Sequence, residues 1–110
     1  IDEIDHDSTA VQEEIFGPVQ EVFSWSDYDE MIELANDVDY GLAAGVLTQD
    51  LTKAHQCAKD IEAGNIWINT YNDFPAGQPF GGYKKSGIGR ETAQTAVDHY
   101  TQTKTINISL

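Results

Sequence analysis

Gly64-Asn-Ile-Trp-Ile-Asn69 is the stretch on which the fold turns. Within it, Asn65 to Asn69 is apolar on both alternating faces, the pattern of a strand covered on two sides in an α/β sheet. The residues before it supply the rest of a βαβ unit. Ala43-Ala-Gly-Val-Leu-Thr48 reads as a short buried strand. Asp50 offers an N-cap oxygen to a helix running to about Ala63, with Gly64 as its C-cap. Leu51, Ala54, Ala58 and Ile61 form the inward face of that helix, and Cys57 lies beside it. Further upstream, Ser26 and Asp27 can cap a helix to about Val38. Its apolar face is Tyr28, Met31, Ile32, Ala35 and Val38, while Asp29, Glu30, Glu33 and Asp37 take the rest. Val19-Gln-Glu-Val-Phe-Ser-Trp25 is strand-like, so the order is strand, helix, strand, helix, strand, as in a doubly wound α/β layer.

Downstream of the central strand, Thr70 to Arg90 concentrates Tyr71, Phe74, Phe80 and Tyr83 between Pro75, Pro79 and several glycines. Loops after the carboxyl end of such a strand commonly carry site residues. Aromatic side chains on a Pro/Gly-shaped loop suit the wall of an apolar small-molecule pocket. Packing of the loop on its own domain fits equally well. Its end, Pro79-Phe-Gly-Gly-Tyr-Lys-Lys-Ser-Gly-Ile-Gly-Arg-Glu91, holds four of the nine glycines. Ser86 precedes Gly87 and no Lys follows, so this is not a P-loop. Thr92 stands where the last Gly of a dinucleotide-binding GxGxxG would be. The glycines alone name no ligand.

The 40% apolar and 10% aromatic content of 110 residues suits one folded domain. Charge is unevenly spread. Residues 1–60 carry 15 acids and two lysines, whereas residues 61–110 carry four acids and four bases. The first half would repel nucleic acid and an anionic membrane, so neither is an expected partner. The excess fits a salt-rich cytoplasm or simply a solvated helical face. A single Cys allows no internal disulfide and points to a reducing cytoplasm as the compartment. No apolar run is long enough for a membrane span, and no signal peptide is expected. The opening Ile1-Asp-Glu-Ile-Asp5 reads as a strand under way, which suggests a piece of a longer protein.

Asp2, Asp5, His6 and Asp7 lack the Gly and distal Glu of a calcium loop, and read as a solvated acidic turn with no metal. In Gln12-Glu-Glu-Ile-Phe-Gly-Pro-Val19, Gly17-Pro18 forces a turn. Glu14 and Phe16 are two apart and share a side if extended. A carboxylate beside an aromatic edge suits a ligand with hydroxyls and a flat ring, though a plain strand start with one exposed acid is the simpler reading. Cys57 reads as a buried, unactivated thiol and His55 as a surface residue. Glu91 to Tyr100 can make a short helix with Ala93, Ala96, Val97 and Tyr100 on one side. From Thr103 to Leu110, Ile106, Ile108 and Leu110 alternate with polar residues, a half-buried strand with no partner nearby in sequence. Such a strand can add to an exposed edge on another subunit.

Taken together, Glu13-Glu-Ile-Phe-Gly-Pro18, Tyr40-Gly-Leu-Ala-Ala44, Gly64-Asn-Ile-Trp-Ile-Asn69 and the segment Pro79 to Glu91 resemble the carboxyl-terminal part of NAD(P)-dependent aldehyde dehydrogenases, in order and spacing. Gln12–Val19, Tyr71 to Ala76 and Asp98–Lys104 look most like acetaldehyde dehydrogenases acting on short aliphatic aldehydes. The resemblance implies residues 1–100 in the α/β catalytic domain and residues 101–110 as an oligomerisation strand, giving dimers or tetramers. It implies oxidation of an aldehyde to its acid with NAD or NADP. It further implies that Glu14 holds the nicotinamide-ribose hydroxyls and Phe16 lies against the cofactor, while Phe74 and Phe80 line the aldehyde channel. The family's nucleophilic Cys, its glutamate base and its Rossmann domain lie upstream of the matching region. Cys57 does not match the nucleophile's motif, so no catalytic residue is expected within these 110. Two other classes compete: a non-catalytic self-association domain, and a phosphate-binding module using Lys84 and Lys85.

Overall fold

In a computed structural model describing all 110 residues, Ile1–Leu110, the Asn65–Ile68 segment forms a strand parallel to Ala43–Val46. Parallel neighbours need a crossover, and the helix Leu51–Asp60 provides it. In chain order the elements are α1 (Thr9–Gln12), α2 (Tyr28–Asn36), β1 (Tyr40–Gly41), β2 (Ala43–Val46), α3 (Leu51–Asp60), β3 (Asn65–Ile68), β4 (Tyr83–Lys84) and a final 3₁₀ helix, η1 (Gln94–Tyr100). The chain is thus a mixed α/β structure. Register runs Ala43 with Asn65 through Val46 with Ile68. A second, antiparallel pair sets Tyr40 against Lys84 and Gly41 against Tyr83.

Both long helices start where an aspartate satisfies orphan N–H groups. The Asp27 carboxylate accepts from the amides of Asp29 and Glu30 at 3.0 and 3.3 Å. Asp50 accepts from Thr52 and Lys53 at 2.9 and 3.2 Å. The core is small: Ala54 and Cys57 of α3 meet Ala63 and Trp67. Only six of 110 residues are buried, and the radius of gyration is 18.8 Å. A compact chain of this length would have about 13 Å. Large apolar faces therefore stay open.

Several expectations are corrected. Val19–Trp25 forms no strand; its only ladder-like contact is at Ile1, whose ammonium donates to Gln20 O at 2.6 Å and whose carbonyl accepts from Val22 N at 2.8 Å. Without a further partner, alternation alone makes no sheet. Helix α3 ends at Asp60, and Gly64 is not its cap. Extended backbone at Ile61 closes the helix instead. Leu51, at the first position of α3, is 70% exposed, not inward. The helix expected over 91–100 is 3₁₀ and shorter, with Tyr100 on the surface. Thr103–Leu110 pairs with nothing within the chain and is wholly exposed, where a half-buried strand was expected.

Gly64 has another task. A Cβ there would lie 1.7 Å from the carbonyl oxygen of Gly81, and one on Gly41 would lie 2.2 Å from that of Glu62. The Gly64 amide donates to Gly41 O at 3.0 Å. Three backbone segments thus touch where side chains are missing, seating the glycine-rich loop directly on the βαβ unit.

Candidate functional site

Helix α1 ends at Gln12, and the chain then runs extended into a tight double turn. Gly17 N donates to Ile15 O at 2.7 Å, and Val19 N to Gly17 O at 2.8 Å. The turn leaves Phe16 98% exposed. Glu14 is also exposed and lines a cleft of about 840 Å³ between the α1–α2 side and the β2–α3 unit. Tyr28, Met31, Val38 and Cys57 line the same cleft. The structure's ion pairs are His6–Asp37, Lys84–Glu62 and Lys85–Asp39, so the Glu14 carboxylate has no cationic partner. The carboxylate remains free to accept from hydroxyl donors, and the Phe16 ring, two residues on, is open to a flat surface.

Phe74 and Phe80 are brought together. Their rings stand edge to face with centroids 5.0 Å apart, and Phe74 packs likewise on Trp67 at 5.0 Å. Tyr71 joins from the other side at 5.1 Å. The Trp67 indole N–H donates to Asp73 O at 2.9 Å, which pins the loop to β3. An isolated bridge between Phe80 and Glu91, with N···O distances of 3.0 and 2.7 Å, holds the other end. Phe80 lines a separate cleft with Arg90 and His99. The chain itself does not unite the Glu14–Phe16 pair with the Phe74–Phe80 pair in one cavity.

Elsewhere the cations and thiol are engaged structurally. Lys84 adopts φ 52° and reaches the carboxyl end of α2, while Lys85 pairs with Asp39. Neither ammonium is left over for a phosphate. Asp39 holds the Lys85 ammonium above its ordinary range. Cys57 is buried, as expected, and the surface position of His55 also holds. Burial first, and then a hydrogen bond to the Asp60 carboxylate at 2.7 Å, hold the Tyr28 phenol above its ordinary value. No three His, Cys, Asp or Glu side chains converge as a metal site requires. In the acidic turn, Asp5 accepts from the Asp7 amide and His6 faces Asp37 at 3.4 Å. No helix is long and apolar enough to cross a membrane.

Sequence reasoning missed Gln12, Asn36 and the clamp made by Lys84. The Asn36 side chain donates to Asp60 O and accepts from Glu62 N, both at 2.8 Å. Its place at a helix end was a weak signal. Partners more than twenty residues away leave no local trace.

Comparison with known proteins defines the class. Residues 1–106 match the aldehyde dehydrogenase family, and the chain belongs to that family. Among its relatives, betaine aldehyde dehydrogenase 2 of Rhizobium meliloti (strain 1021) is 51% identical over 102 residues, 93% of this chain and 21% of that protein. The NAD+ complex of an aldehyde dehydrogenase from Bacillus cereus superposes with a TM-score of 0.88 at 51% identity, covering 92% of this chain and 21% of that one. An indole-3-acetaldehyde dehydrogenase of P. syringae, complexed with NAD+ and IAA, gives 0.90 at 44%, covering 99% and 22%. The chain spans about a fifth of the length of these relatives.

Proposed function

We propose that the full-length polypeptide carrying this chain oxidises an aldehyde to the carboxylic acid, with NAD as hydride acceptor. The supporting observation is the match over residues 1–106, within which Glu14 lines a cleft without a cationic partner and Phe16 stands exposed two residues on. Likeness to NAD+ complexes supports NAD over NADP. The nicotinamide cofactor accepts the hydride when bound. Glu14 accepts hydrogen bonds from its ribose hydroxyls, and Phe16 limits the position of the ring. Phe74 and Phe80, stiffened by their mutual packing and by Trp67, form an apolar wall for a short aliphatic aldehyde and keep water from that side. The upstream remainder supplies nucleophile, base and most of the cofactor site. Residues 101–110 act as the oligomerisation strand of a dimer or tetramer.

Two measurements test these assignments. In the full-length polypeptide, Glu14→Gln weakens charge-assisted bonds to the ribose. The NAD dissociation constant is expected to rise roughly tenfold, with unchanged aldehyde KM. Wild-type NAD affinity would remove Glu14 from the cofactor site. For assembly, Ile106 and Ile108 are 70% and 79% exposed, alternating along an unpaired edge. Deleting residues 103–110 is expected to convert the oligomer to a smaller species in light scattering. An unchanged mass would refute strand-mediated assembly. The same observation favours the second reading, a self-association domain, if the full-length polypeptide proves to lack a cysteine nucleophile.

A further inference from the structure

The exit of α2 concentrates hydrogen bonds from opposite ends of the chain. A helix leaves its last carbonyls unpaired, and cations are favoured there. Helix α2 has no basic residue in its own last turn. Its exit is instead satisfied from afar. Lys84 Nζ donates to Asn36 O, to Val38 O at 3.2 Å and to Glu62 Oε2 at 2.8 Å, which uses all three ammonium protons. The amide of Lys85 donates to Asp39 O at 2.9 Å. From the other side, Gln12 Nε2 donates to Asp37 O at 3.0 Å and to His6 O at 2.9 Å, using both of its protons. Four consecutive carbonyls, Asn36 through Asp39, thus tie down two segments. Gln12 stands two residues before Glu14 and four before Phe16. Lys84 stands four residues after Phe80.

We propose that the α2 exit, Asn36–Asp39, is a shared anchor that fixes the cofactor-side segment relative to the aldehyde-side loop, with Gln12 and Lys84 as its positioning residues. The proposal rests on the site assignments above. Neither side chain need touch a ligand. Each acts through the carbonyls it holds, so loosening one segment frees the exit on which the other depends. A ligand-contacting segment that has been loosened must be re-ordered when the ligand binds, which makes such a tether visible in affinity.

The test uses the full-length polypeptide with Gln12→Met and Lys84→Met, which keep the stems and remove the donors. NAD dissociation constants come from fluorescence without aldehyde, and KM and kcat from steady-state rates. Lys84→Met is expected to raise the aldehyde KM roughly threefold to tenfold and the NAD dissociation constant about twofold, with kcat held within about twofold. Gln12→Met should show the mirror pattern. Lys84→Arg, which retains donors, should recover most of the loss. The anchor is refuted if each variant shifts only its own ligand, if neither shifts any, or if kcat falls in step with melting temperature. Should Lys84→Met fail to fold, Gln12→Met and the near-isosteric Gln12→Glu are read by the same criteria. Glu14→Gln and Phe80→Ala run alongside. Inert Glu14 and Phe80 variants would sink the site assignments, whereas active ones with silent Gln12 and Lys84 variants would sink the anchor alone.

Discussion

Gly64→Ala is expected to destabilise the full-length polypeptide by on the order of 3–5 kcal/mol, enough to lower its melting temperature by many degrees. The added methyl would sit 1.7 Å from Gly81 O, 2.7 Å from Gly81 C and 3.2 Å from Gly82 Cα, all backbone atoms with no rotamer to change. Relief means moving either β3 or the glycine-rich loop. That also stretches the 3.3 Å hydrogen bond from Asn65 Nδ2 to Gly81 O and the 3.0 Å bond from Gly64 N to Gly41 O. The matched control is Gly45→Ala on β2, whose methyl would rest 3.4 Å from the Tyr71 ring in ordinary contact. That change should fall within about 0.5 kcal/mol of wild type. Equal melting temperatures for the two variants would show that the loop does not depend on close approach at Gly64.

The contrast between Gly64 and Asp50 shows what sequence can and cannot reveal here. Asp50 and Asp27 act on amides two and three residues away, so their role as caps was readable from position alone. The parallel pairing of β2 with β3 was readable for a related reason. An apolar run, a capped helix and a second apolar run leave few topologies. Gly64 also follows a helix, which is where a C-cap glycine belongs, yet it serves a contact with Gly81 that no local pattern encodes. Lys84 is similar: its partners lie 46 and 48 residues back. Alternation misled at Val19–Trp25 because it reports a strand's two faces, not the edge needed to complete a ladder. As for the site, Glu14 and Phe16 stood out as an unusual pair on an exposed turn. Phe74 and Phe80 stood out as crowding, though only the structure shows them edge to face, with Phe74 in turn on Trp67.

The second large effect concerns the 110-residue chain alone, which is expected to form no NADH or NADPH from acetaldehyde with either cofactor. Thiohemiacetal formation needs an accessible thiolate near a cation or a helix N-terminus. Cys57 has neither. It is 6% exposed, seven positions into the ten-residue helix α3 and therefore nearer its carboxyl end. Its neighbours Tyr28 and Asp60 bring a hydroxyl and a carboxylate, not a positive charge. A base is missing as well: the Asp60 carboxylate is already accepting from Tyr28. Hydride transfer would further require a held nicotinamide, and the contact proposed for Glu14 and Phe16 would supply only one edge of such a site. The direct measurement is cofactor reduction followed by absorbance, with Cys57→Ser and the full-length polypeptide in parallel. Thiol labelling should be slow in the native chain and fast once it is denatured. Turnover by the chain that disappears in Cys57→Ser would overturn this account, because it would place the nucleophile on α3.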